Sequence, residues 1–188
     1  MIGYHGTSHY IRKIRIAPKL SSNISKDNEG VGCYFFTDSK EKAAAYGRYV
    51  YTLEIDDPVP DFRKAETAMG YLEDMCQCVK SRMDLDISRF ISFSLIADYI
   101  TDGRIAVRDI GKEVWLHLDS SEPFYKAAGV KKAEKIQQLI KQYENQHLPN
   151  AWLFSASITN AGIVRKESAV RIIRMERSAD IRMKEEDI

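Results

Sequence analysis

Apolar residues alternate with polar ones at both ends of this chain and fall into helical spacing in its middle. Near the start, "MIGYHGT" reads as a strand, and "IRKIRIAP" alternates well enough to be a second short one ending at Pro18. The polar, glycine-bearing "SSNISKDNEGVG" reads as a loop running into the apolar burst "CYFFTD". After Asp38, a candidate N-cap, "SKEKAAAYG" is alanine-rich and stops at Gly47, which predicts a helix. "RYVYTLEID" alternates like a half-buried strand and is stopped by Asp57-Pro58.

Residues 59–150 have a different texture. "KAETAMGYLEDMCQCVKSRM", "DISRFISFSLIADYITDG" and "GVKKAEKIQQLIKQYENQ" carry apolar residues at helical intervals, with room for a short strand around Val114 to Leu118. From Pro149 the strand character returns in "AWLFSASI" and "GIVRKESAVRIIRME", and the charged tail "RSADIRMKEEDI" predicts a frayed end or a loose last element. The pattern predicts an α+β fold: one domain over residues 1–188, with a mostly helical insertion at 59–150 and no repeat or low-complexity linker to divide it.

Composition narrows this only a little. The 188 residues suffice for one well-cored domain, and a net charge of +1 removes any global field towards nucleic acid or an anionic membrane while leaving room for local basic patches. The apolar run "FISFSLIA" is too short to span a bilayer, and without a charged n-region followed by an apolar h-region no secretion signal is expected. Cys33, Cys76 and Cys78 lack the second ligand pair of a structural zinc site, so no metal and a reducing cytoplasm with free thiols are the expectations.

Two motifs carry chemistry. The first is "YHGTS", Tyr4 to Ser8; the second is "EGVGCYFFTDSKEKAAAYG", Glu29 to Gly47. Alone, the first reads as a strand entering a turn at Gly6, and the second as a buried aromatic strand after a glycine turn. Together they resemble the ADP-ribosyltransferase family of the diphtheria toxin and poly(ADP-ribose) polymerase branch, whose signature is a His, a Tyr and a Glu on three separate strands. The resemblance covers residues 1–57 well and the last strands loosely.

That resemblance implies an ADP-ribosyltransferase-like split antiparallel sheet with a nicotinamide cleft, and NAD as the substrate. It implies that His5 bonds a ribose hydroxyl and that Gly6 holds the nicotinamide carboxamide through its backbone, with Thr7 assisting. Gly32 belongs to the turn that brings Tyr34 over the ligand, and Tyr34 and Tyr46 stack on the two sides of the nicotinamide ring. The spacing from Tyr34 to Tyr46 departs by one residue from the family's, so Phe35 is the alternative stacking ring. Cleavage of the nicotinamide–ribose bond passes through an oxocarbenium-like state, so aromatic faces and a carboxylate at the ribose are the chemistry it needs.

The carboxylate is missing. In "TNAGIVRKESAVRIIR", Thr159 to Arg174, Asn160 falls beside the family's glutamate position and Ala161 falls on it. Three accounts stay open. The chain is an inactive member that binds NAD or a partner; Glu167 or Glu176 supplies the group through another register; or Ala161 replaces a glutamate and disarms an active enzyme.

Carried through, the resemblance implies an NAD-dependent mono-ADP-ribosyltransferase of toxin or phage-conflict type, acting on RNA, DNA or a host protein, with an antitoxin as a candidate partner. The alternatives are a catalytically silent NAD-sensing or protein-binding module and, more distantly, an RNA 2′-phosphotransferase. His9, His117 and His147 share no metal spacing, and the basic runs "RKIRIAPK" and "GVKKAEK" read as solvated faces. Arg12 and Arg15 are candidates for a phosphate contact.

Overall fold

The computed structural model describes residues 1–16, 34–155 and 160–182. In chain order its elements are β1 (Ile2–Thr7), β2 (Tyr34–Phe36), α1 (Lys40–Ala44), β3 (Tyr49–Ile55), α2 (Ala65–Met83), α3 (Phe93–Thr101), α4 (Ile110–Asp119), α5 (Glu122–Ala128), α6 (Val130–His147), β4 (Ala151–Ser155), β5 (Asn160–Val164), β6 (Val170–Arg177) and α7 (Ser178–Arg182). The protein is α+β. It divides into two compact units, Met1–Pro60 with Pro149–Ile188 and Asp61–Leu148, so the helical region inserted between β3 and β4 is a unit of its own.

The first unit holds two three-stranded sheets, β1-β3-β6 and β2-β5-β4, antiparallel throughout. They are joined at a seam. Tyr4 N–H donates to the Thr37 carbonyl and Thr37 N–H donates back to the Tyr4 carbonyl, both at 2.8 Å. β3 shows why the sequence folds this way: Tyr51, Leu53 and Ile55 turn one face into a core shared with Phe36, Leu153 and Val164 of the other sheet. On the opposite side of β3, Val50 packs with Ala43 and Ala44 of α1 and Ile181 of α7, with Tyr4 beside them.

Phe36 holds the two sheets in register. Its ring is 3% exposed and lies against glycine on both sides. A Cβ at Gly3 of β1 would come within 2.6 Å of the ring, and one at Gly162, the cross-strand partner of Phe36 on β5, would overlap it outright. A large ring laid over a cross-strand glycine fills the space a side chain would otherwise take.

Three expectations are corrected. Residues 11–16 form no strand: Ile11 N–H donates to the Tyr51 hydroxyl at 2.8 Å and Ile16 N–H to Glu167 at 2.9 Å, so side chains take the place of a ladder while Ile14 is buried. Val114 to Leu118 lie within α4, where Ile110, Val114 and Leu118 recur at helical spacing and are buried. Ser39, not Asp38, caps α1, accepting from Lys42 N–H at 3.1 Å. Gly32, Cys33 and Pro18 lie outside the described residues. The tail forms the short α7 as far as Arg182.

In the second unit, α2 buries Leu72, Met75, Cys76 and Val79, and α6 buries Ala133, Ile136, Ile140 and Tyr143, both at three- and four-residue intervals. Burial pushes the Cys76 thiol up to about 12, which makes it an inert core residue. Glu144 of α6 accepts from Gly111 N–H in the first turn of α4 at 2.7 Å; burial outweighs that bond and raises its carboxyl from 4.5 to about 7. No described helix is long and apolar enough to cross a membrane.

Phe36→Ala costs about 3–5 kcal/mol by urea unfolding. Gly162→Ala is destabilising in the wild-type background and close to neutral beside Phe36→Ala, the coupling a double-mutant cycle reads. Equal costs of Gly162→Ala in the two backgrounds contradict the packing described. For Glu144 the folded pKa lies above the unfolded one, so its contribution is complete below about 4.5 and is lost as pH rises through about 7. Glu144→Gln keeps an acceptor for Gly111 and removes that decline, seen as unfolding midpoints at pH 8 that rise relative to wild type.

Candidate functional site at the seam of the two sheets

The seam brings several of the motif residues together. His5 lies opposite Tyr51 in the β1–β3 ladder, and its Nδ1 is 2.8 Å from the Phe35 carbonyl. A carbonyl only accepts, so Nδ1 carries the proton and donates. Burial lowers the His5 pKa below its usual 6.5, against the opposing pull of that bond, so the ring is neutral with Nε2 in its acceptor form.

Phe35 is half-buried and pairs with Ile163, and its ring meets Phe154 edge-on at 6.3 Å and 62°. Phe154 is the cross-strand partner of Ala161. Strand alternation carried across the Tyr4–Thr37 bridge puts Phe35, Thr37 and Ala161 on the face of Tyr4 and Gly6, the side α1 covers. His5 belongs to the other face and reaches Phe35 through the carbonyl.

Gly6 is flush with α1. A Cβ there would overlap the Ala43 carbonyl and come within 3.1 Å of Tyr46 Cβ, so a glycine is demanded by helix packing whether or not a ligand is held. Tyr46 follows α1 and is 58% exposed. Gly6, Tyr46, Phe35 and Ala161 therefore share one side of the seam, with His5 fastened behind it. Thr7 ends β1, its hydroxyl accepting from His9 N–H at 3.2 Å. Tyr34 pairs through its backbone with Val164, one register step from Phe35.

The two other carboxylates lie elsewhere. Glu167 sits in the short helical turn Glu167–Ala169 and accepts from Ile16 N–H; Glu176 on β6 is 2.6 Å from Lys40 and 3.4 Å from Arg174. His117 lies 3.5 Å from Glu113, and His147 stacks on Tyr143 at 4.2 Å, both in the second unit. Phe154, which joins Phe35 to position 161, was missed in the sequence, where it reads as one more apolar residue of "AWLFS".

No protein-family model and no curated protein sequence matches the chain. Among solved structures it is similar to one described as "Crystal structure of an anti-CRISPR protein", at 15% identity and a TM-score of 0.39, over 92% of this chain and 95% of that one. A likeness at that score carries no argument about fold or activity.

The His5 environment has a measurable consequence. Its folded pKa is depressed, so protonation favours the unfolded chain: the stabilising contribution is complete above about 6.5 and is lost below it, as pH falls through the lower folded pKa. His5→Gln, which stays neutral and can still donate to Phe35, gives a shallower loss of stability between pH 7 and 5 than wild type in urea titrations. Parallel curves would mean that His5 is not held as a buried neutral donor.

Proposed function

We propose that the seam is an NAD site of the ADP-ribosyltransferase type, on a sheet split in that family's manner, and that position 161 is where its catalytic carboxylate belongs. With glutamate at 161 the protein is an NAD-dependent mono-ADP-ribosyltransferase, moving ADP-ribose to a nucleic acid or protein acceptor and releasing nicotinamide. One observation carries this reading: Phe35, Gly6, Tyr46 and Ala161 gather on one side of the joint between two antiparallel three-stranded sheets, with His5 clamped to the Phe35 carbonyl.

The residues fit what NAD would ask of them. Phe35 and Tyr46 are rings that can take the two sides of a flat cationic leaving group. His5 stands on the opposite face, and its part in this reading is to fix the Phe35 backbone through the Nδ1 bond. Phe35 rather than Tyr34 is the stacking ring in this reading, because it shares a face with position 161. A glutamate there would bond the ribose 2′-hydroxyl and oppose the positive charge that develops as the nicotinamide bond breaks. Use as a toxin or conflict effector, and an antitoxin partner, rest on the sequence resemblance alone.

Ala161 itself favours a second reading, a site that holds NAD without turning it over. The two are separated by nicotinamide release and by calorimetric NAD binding, on this chain, on Ala161→Glu and on Ala161→Glu with His5→Ala. The transferase reading expects turnover in Ala161→Glu at least about 100-fold above the Ala161 chain, most of it lost with His5→Ala. Binding by all forms with turnover by none establishes the silent module, and absence of binding overturns both.

A further inference from the structure

A concave surface opens where β3 begins and β6 ends. It encloses about 640 Å³ and is lined by Gly47, Arg48, Tyr49, Arg177, Ser178 and Ala179. Its floor is fixed by backbone: Tyr49 pairs with Arg177, Ser178 N–H donates to the Arg48 carbonyl at 2.9 Å, and the Ser178 hydroxyl donates to the Gly47 carbonyl. Two arginines therefore line one surface, Arg48 just ahead of β3 and Arg177 at the end of β6. Among the described residues neither makes an ion pair, and no carboxylate lines the surface. Two cationic side chains on one surface that no carboxylate lines suit an anion, which a guanidinium fork can bond.

The anion is marked by what stands next to the arginines. Tyr49 lines the surface, and Tyr10 meets it edge-on at 6.1 Å and 76° while remaining 60% exposed. An exposed ring braced on a second ring beside two arginines combines a stacking platform with a phosphate fork, the pairing that single-stranded nucleic acids use. An acidic peptide would occupy the charges and leave the platform idle. Thr7 pairs with Tyr49, so this surface lies at the end of the strand that carries His5, about 7 Å along it.

We propose that the surface between Arg48 and Arg177 binds the phosphodiester backbone of a single-stranded nucleic acid, with Tyr10 stacking on a base. The binding stands independently of NAD; where the transferase reading holds, it makes that strand the acceptor. The low net charge leaves little long-range attraction, so affinity comes from these few groups and falls with salt.

The test is fluorescence anisotropy of the full chain with labelled 12-mers of oligo-dT and oligo-rU, without NAD, across a salt series. Arg48→Ala with Arg177→Ala is expected to weaken binding at least tenfold and to reduce the log–log salt slope by about 1.4, the value for two phosphate contacts on a single strand. Tyr10→Ala is expected to weaken binding at least fivefold with the slope kept. Lys112→Ala with Lys141→Ala, in the second unit, should change neither, and circular dichroism checks that each variant folds. No binding by wild type overturns the proposal, as does an undiminished affinity in the double arginine variant. If the arginine pair is needed for NAD binding by calorimetry while neither oligonucleotide binds, the surface is a dinucleotide phosphate subsite, and the nucleic acid proposal falls while the NAD site stands.

Discussion

The candidate site depends on how closely two sheets can approach across one phenylalanine. Phe36 fits between β1 and β5 because the positions facing it, Gly3 and Gly162, have no side chain to displace it. That contact sets the height at which β1 meets β2, and so whether Tyr4 and Thr37 can exchange both of their hydrogen bonds. His5 and Phe35 flank that bridge by one and two residues. Once the bridge closes, the imidazole has little choice but to meet the Phe35 carbonyl. Packing in the core thus decides a polar contact at the seam, because interiors near crystalline density do not absorb a displaced ring.

The same economy governs α1. Gly6 lets the Ala43 carbonyl come down onto β1, which carries Tyr46 to the strand that bears His5. A glycine that resembles a ligand-binding residue by motif is thus explained by helix packing, and the two roles are compatible, since a backbone exposed by a missing side chain serves either. Electrostatics divides differently between the units. Burial drives His5 towards its neutral form and Glu144 towards its protonated form, so the two units respond to acid with opposite sign.

Much of this architecture was legible in the sequence. β3 announced itself through alternation, α2 and α6 through three- and four-residue spacing, and the helical insertion through the change of texture after Pro58. What failed did so for identifiable reasons. Residues 11–16 alternate like a strand, yet their amides are taken by Tyr51 and Glu167, and no local pattern reveals a partner 40 or 151 positions away. Val114 to Leu118 is β-branched and aromatic enough for a strand, but its apolar residues continue the helical spacing begun at Ile110. At the site, the motifs marked His5, Gly6, Tyr34 and Tyr46, with Phe35 as the alternative ring. The shared face of Phe35 and Ala161 needed the register, because period-two geometry assigns faces only once the partner strand is known. The Arg48–Arg177 surface was invisible for a similar reason: the two residues adjoin only through the pairing of β3 with β6.

The insertion between β3 and β4 also imposes a timetable. Residues 61–148 are contiguous and form their own unit of mostly local helical contacts, the kind that closes quickly. The two sheets cannot be completed until β4, β5 and β6 have been synthesised, more than ninety residues after β3. On a ribosome, β1 and β3 emerge early and wait as an open ribbon while the helices condense behind them. Assembly of the seam is therefore held back behind the inserted helices, and whatever chemistry resides there waits until β5 and β6 have been made.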